Sequence, residues 1–320
     1  MSFLNATRRK LIRLGTQTQA AGNPVSWDIP KTGILSRIFL DILVSPAGTL
    51  SAPNALGGQC LVNRVKLIAN SGINVFDVSG SGYFSGLLTY MEQYITQNVQ
   101  AGFSAAIATG VTHQLNMVIP VAMNSRDPIG LIMLQNEQTL LQLTVEFLAF
   151  GSVATGCTSL PFSITPTIEV FTVPTDPRDW PPFNVIHQVV EDVRAIASAG
   201  TIEYYWPRGN TYLQVIHGAG WSQANTAENW TRAQLRLNQS DYLMDFVPMS
   251  FDQEYASSHG YIRRWGTVAF DLMGSSGLGM FGSSRDMLYS AAVTDLASVI
   301  AIAAAGNLYT VRRQLISLEG

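Results

Sequence analysis

Val25, Trp27 and Ile29 alternate with Ser26, Asp28 and Pro30, the two-residue period of a half-buried strand. The period is cleanest at residues 111–119. There Val111, His113, Leu115, Met117 and Ile119 share one face, and Thr112, Gln114, Asn116 and Val118 the other. Longer apolar runs at 33–44, 61–70, 139–150 and 164–173 predict strands within packed sheets. Turn residues separate them: Ser45-Pro46-Ala47-Gly48, the loop 51–58, Asn70-Ser71-Gly72 and Ser125-Arg126-Asp127-Pro128. Helical spacing breaks in at Tyr83, Leu87, Tyr90, Met91 and Tyr94, which predicts a helix within 82–94. Residues 2–13 predict a short N-terminal helix, and 183–192 another before a strand at 193–199. Pro174, Pro177, Pro181 and Pro182 mark a stiff joint, because proline fixes φ.

Much of this pattern occurs twice. Trp27-Asp28-Ile29-Pro30-Lys31-Thr32-Gly33 is echoed by Tyr205-Trp206-Pro207-Arg208-Gly209. A strand-like run ending at Asn70 and followed by Asp77 is echoed by one ending at Asn238 and followed by Asp245. Ser125-Arg126-Asp127 is echoed by Ser284-Arg285-Asp286. The offsets are 207−30=177, 238−70=168 and 286−127=159, so the second copy has shorter connections. Repeats of this length are duplicated domains, since solenoid units span only about 20–50 residues. The organisation expected is an N-terminal arm (1–20), a first β domain (21–173), a Pro-rich linker (174–190) and a second β domain (191–320). Each half offers about eight strands with very unequal loops, as in a Greek-key sandwich of the jelly-roll type.

Composition narrows the function. Hydrophobic residues are 47% and charged residues 13%, about half the usual charged share. Such a surface suits a chain covered by other subunits. The net charge of −3 argues against specific nucleic-acid binding. Cys60 and Cys157 are too few for a disulfide framework and read as two reduced thiols, a disulfide between them staying open. Neither a secretory leader nor a transmembrane run is legible, which predicts folding in a cytoplasm.

Catalytic patterns are weak. His113, His187, His217 and His259 form no His-x-His pair of the kind a jelly-roll metalloenzyme needs. Gly80-Ser81-Gly82 and the glycines of 274–279 lack the Lys-Ser/Thr of a phosphate loop. Glu191 and Asp192 are adjacent and cannot face each other across a cleft. Asp77 and Asp245 recur in both copies, which points to repeated structure. Trp206, Trp221, Trp230 and Trp265 could line a glycan platform, so a carbohydrate- or receptor-binding β-sandwich is the alternative reading. No catalytic residue, metal or cofactor is expected.

Tandem jelly rolls with a helix after the fourth or fifth strand, together with the Asn-turn and Asp-strand pairs Asn70/Asp77 and Asn238/Asp245, resemble the double jelly-roll major capsid proteins of tailless icosahedral viruses. The likeness covers nearly the whole chain. It implies an all-β fold of two tandem eight-stranded jelly rolls with short helical insertions and a short N-terminal helix. It implies a homotrimer with a pseudo-hexagonal outline that tiles a virion shell, here of a bacteriophage, assembled in the host cytoplasm. The partners implied are neighbouring capsomers, minor capsid or penton proteins, and an internal membrane or neighbour met by Arg8, Arg9, Lys10 and Arg13. Loops 51–58, 97–110, 221–230 and 252–260 are the expected outer connections.

Overall fold

A computed structural model describes residues 3–19, 23–70, 72–87, 102–123, 128–220, 228–259, 265–272 and 287–318. The chain divides into two compact units, residues 1–84, 92–190 and 317–320 forming the first and residues 85–91 and 191–316 the second.

The first unit contains β1 (Arg9–Arg13), β2 (Gln17–Gln19), β3 (Val25–Asp28), β4 (Ile34–Val44), β5 (Ala47–Ser51), β6 (Val62–Ala69), β7 (Ile73–Val78), β8 (His113–Pro120), β9 (Ile132–Met133), β10 (Leu141–Phe147), β11 (Thr155–Ser159) and β12 (Phe162–Phe171). One sheet runs β1-β12-β4-β8 and the other β3-β10-β6-β7. β2 adds to β12, β9 adds to β4, and β5 and β11 form a separate ribbon. Counting the eight principal strands in chain order, the first sheet holds the first, eighth, third and sixth, and the second holds the second, seventh, fourth and fifth. That wrapping is the jelly roll. β13 (Val185–Ile196) crosses the division between units, and its residues Val189 and Val190 pair in parallel with Phe76 and Asp77.

The second unit continues with β14 (Gly200–Tyr205), β15 (Thr211–Ala219), β16 (Trp230–Leu237), β17 (Asp241–Phe246), β18 (Thr267–Asp271), β19 (Leu288–Tyr289), β20 (Leu296–Ile302) and β21 (Gly306–Ser317). Its sheets run β13-β21-β15-β18 and β14-β20-β16-β17, with β19 on β15. The strand order is that of the first unit, so the chain is a double jelly roll.

The correspondence reaches single residues. Opposite Glu169 and Val170 of β12, Ser36 of β4 is skipped between Leu35 and Arg37; opposite β21, Leu213 of β15 is skipped between Tyr212 and Gln214. Both skipped residues use their carbonyls alike. Ser36 accepts from Val121 and Ala122, and Leu213 accepts from Leu272 at 2.9 Å. The backbone N–H of Ile29 donates to Leu141 and that of Trp206 to Leu296, each at 2.9 Å.

Alternation builds the cores. Ile38, Leu40, Ile42 and Val44 of β4 point inward with Leu115, Met117 and Ile119 of β8 and Val65 and Leu67 of β6, all essentially inaccessible. Val215, Ala233, Leu235, Phe270 and Ile300 do the same in the second unit. Burying each Leu, Ile, Val or Phe contributes roughly 1.5–3 kcal/mol.

Three local expectations are corrected. The N-terminal helix is confined to Phe3–Ala6, and Arg9–Arg13 is a strand antiparallel to β12. Residues 183–192 are not helical: β13 starts at Val185, with His187, Val189 and Glu191 buried on one face, and β-branched residues favour that outcome. Residues 252–259 are not a loop but the end of a helix, Pro248–His259. Proline at its first position and the Ser250 hydroxyl, which accepts from the Val247 N–H at 3.1 Å, start it, and Phe251 docks on Phe246 and Trp230. The helix expected at 82–94 is helical over its described part, Gly82–Leu87. The Ser-Arg-Asp turns, residues 274–279, residues 97–101 of the loop 97–110 and most of loop 221–230 lie outside the described residues. No helix among the described residues is long and apolar enough to cross a membrane.

Candidate functional site

The recurring Asn and Asp residues occupy one construction made twice. Asn70 and Asn238 end β6 and β16 at φ of 49° and 48°, left-handed conformations that asparagine tolerates well. The N–H of Asn70 donates to Leu140 at 2.8 Å, and its Oδ1 accepts from the Leu140 N–H at 2.8 Å. The N–H of Asn238 donates to Asp295 at 2.8 Å, and its Oδ1 accepts from the N–H and the Oγ1 of Thr294, both at 2.9 Å. Each asparagine thus ties a hairpin to the strand beside it. Seven residues later, Asp77 pairs with Arg64 at 2.5 Å and Asp245 with Arg232 at 2.5 Å. Arg232 holds the Asp245 carboxyl below the usual range. Both carboxylates are engaged by guanidinium groups, so neither is arranged as a general base.

The basic N-terminal residues lie on or beside β1. Arg9 bonds Glu169, and Arg37 meets the other oxygen of that carboxylate at 2.7 Å. Glu169 is 1% exposed, whereas Arg9 is half exposed. Arg8 takes a Thr172 oxygen through its backbone, and the side chains of Arg8, Lys10 and Arg13 face solvent with Leu11. β1 therefore presents a basic outer face rather than a helical stripe.

The described histidine side chains are interior groups. His113 is buried on the core face of β8, with Nδ1 3.1 Å from the Gly102 carbonyl, and burial pushes its pKa down. His217 sits between Thr310 at 3.0 Å and Ser298 at 2.8 Å, and burial pushes it down to about 3. His187 is buried, and the side chain of His259 lies outside the described residues. Among the described residues no three His, Cys, Asp or Glu side chains form a group that could hold a metal. Cys60 and Cys157 are unpaired with each other, and burial pushes the Cys60 thiol up to about 12.

Among the described residues the tryptophans do not make a platform. Trp206 and Trp230 are core residues at 3% and 1% exposure, and Trp206 Nε1 donates to Ser298 at 2.7 Å. Trp221 lies outside the described residues, which leaves Trp265 as the exposed one among those described. Arg312 and Arg313 are also largely buried, Arg312 reaching Asp192 at 2.8 Å.

One polar hollow in the second unit is lined by Glu203, Tyr205, Arg236, Gln239, Thr294 and Asp295. Arg236 bridges Glu203 at 2.8 Å and Asp295 at 3.5 Å, and Tyr205 donates to Glu203 at 2.6 Å. Arg236 holds Glu203 low, while Glu203 pushes the Tyr205 hydroxyl up. A carboxylate kept ionised by a fixed cation serves as a strand-end tie, not as a proton donor. Among the described residues, β1 in the first unit and β17 in the second are two of the strands that end a sheet, and Tyr242 and Leu243 of β17 are about half exposed. Alternating periodicity revealed neither edge, because partners across a sheet are set by topology.

No protein-family model matches the chain, and comparison with characterised proteins finds no match. Solved structures do match. The major capsid protein of STIV superposes with a TM-score of 0.69 at 16% identity over 96% of this chain and 97% of that one. The PBCV-1 virus capsid structure gives 0.68 at 12% identity over 98% and 95%. The major capsid protein P2 from bacteriophage PM2 gives 0.59 at 11% identity over 97% and 98%. The fold is the double jelly roll of these proteins.

Proposed function

We propose that this chain is a major capsid protein, a structural subunit that associates as a homotrimer and tiles an icosahedral virion shell. The observation that carries the reading is end-to-end agreement with capsid proteins: at least 95% of each of three such chains and at least 96% of this one are covered. The duplication supports it. Three chains of two rolls each place six similar walls around one axis, a block that tiles a flat facet, and closed cyclic trimers are ordinary assemblies. The low charged share, 13%, suits a surface largely covered by neighbours. The protein works without catalysis or cofactor in this reading, which is supported by the pairing of the recurring Asp77 and Asp245 with arginines and by the burial of the described histidines.

The role is proposed for a virion shell without a host, because the three neighbours come from STIV, PBCV-1 and a bacteriophage. Minor capsid proteins and an underlying lipid membrane are proposed partners, and the exposed cations of Arg8, Lys10 and Arg13 are proposed to meet a neighbouring subunit. Light scattering and electron microscopy of the purified protein test the reading. Trimers with a hexagonal outline are expected; a protein that stays monomeric at high concentration and forms no arrays refutes it.

A further inference from the structure

Within the first unit the outer edge of β7 is occupied, because Val189 and Val190 of β13 pair with Phe76 and Asp77. β17 is the counterpart of β7: each completes a hairpin with an αL asparagine and carries the aspartate of an Arg–Asp pair. At the shared offset of 168, Phe76 and Asp77 correspond to Met244 and Asp245. Yet β17 ends its sheet, and among the described residues no strand lies on its outer side. Tyr242 and Leu243 are 52% and 49% exposed there, followed by Val247 at 48% and Met249 at 74%. An open apolar edge is a template for another strand.

The strand that fills this position on β7 also has a counterpart. β13 flanks β21 as β1 flanks β12, and β21 and β12 face equivalent bulges in β15 and β4. β1, like β17, ends its sheet, and it exposes Lys10, Leu11 and Arg13. β17 offers a complementary surface, with Asp241 exposed among its apolar residues and Asp245 also exposed though held by Arg232. A second β17 would instead bring these aspartates against their own copies.

We infer that β1 of one copy docks along the outer edge of β17 of the next copy, in the parallel sense that β13 takes on β7, so that the open edges close a ring head to tail. The inference rests on the trimeric reading above. It assigns the basic N-terminal strand to a neighbouring subunit rather than to lipid.

Disulfide trapping tests it. Leu11→Cys is combined in turn with Tyr242→Cys, Leu243→Cys and Met244→Cys in a Cys157→Ser background, where Cys60 stays buried. Paired strands lie about 4.8 Å apart, within the Cα separation of roughly 4.4–6.8 Å that a disulfide spans. At least one pair is expected to give dimer and trimer bands after mild oxidation, lost with reductant and absent from the Leu11→Cys chain alone. Trimers by light scattering with no ladder from any pair would overturn the docking and leave the trimer standing. A ladder that stops at dimer with a β17 cysteine alone would show β17 pairing with itself and also overturn it. Monomers by light scattering with no ladder would remove both readings.

Discussion

Replacing Asn70 or Asn238 by alanine separates backbone conformation from hydrogen bonding in the turn that both rolls share. The perturbation has two parts. Alanine at φ near 49° lacks the local compensation that lets asparagine occupy the left-handed region, a cost of about 1–2 kcal/mol. The Oδ1 bond to the Leu140 N–H at 2.8 Å is also lost, about 0.5–1.5 kcal/mol for an exposed neutral pair. Asn70→Ala is therefore expected to destabilise the first unit by about 2 kcal/mol. For a unit of this size that is a fall in Tm of about 4–8 °C. Asn70→Gly keeps the conformation and loses only the bond, so it falls by about half as much. Asn70→Asp keeps the acceptor and stays near the parent. Asn238→Ala exceeds Asn70→Ala slightly, because its Oδ1 accepts twice from Thr294. Differential scanning calorimetry supplies the readout. Equal losses for the alanine and glycine variants, or a loss below about 0.5 kcal/mol for alanine, would refute the reasoning.

Glu169→Gln removes the charge that Arg9 and Arg37 share; since both arginines are partly exposed, a loss of about 2 kcal/mol by urea denaturation is expected, below the 3–5 kcal/mol of a fully buried pair. His217 stays neutral in the fold to about pH 3 but titrates near 6.5 when unfolded, so the unfolded state binds the extra proton between those values. Stability should fall as pH drops through that window, by about 1.4 kcal/mol per pH unit from this residue, and His217→Gln should flatten the slope. Iodoacetamide at pH 8 is expected to label Cys157 and spare Cys60, whose thiol is buried and pushed up to about 12, with both labelled in denaturant; mass spectrometry counts the adducts.

Strands were legible wherever one face is buried. β8 and β10 follow their alternation to within two or three residues, since a period of two admits only one side to the core. The misread segments had short patterns compatible with either period. Leu11 and Ile12 in a basic run fit one turn of helix as well as an edge strand, and Glu169, more than 150 residues away, settles the matter by binding Arg9. Val185, Ile186, Val189 and Val190 recur at helical spacing, but all four lie in β13, and Val189 and Val190 pair with β7. At 248–259 the signal was present in Pro248 and Ser250 and was outweighed by the polar residues that follow.

By itself the sequence determined that the chain is β-rich and doubled, that Asn70 and Asn238 terminate equivalent strands, and that its histidines lack metal-ligand spacing. These are local properties, written in periodicity and turn chemistry. The tertiary structure alone decided which strands neighbour which, that Arg64 and Arg232 neutralise the recurring aspartates, and that β7 is covered while β17 is open. Those outcomes depend on contacts between residues distant in the chain, and a sheet's hydrogen-bonding edges leave no mark on the side-chain pattern, which records only the faces.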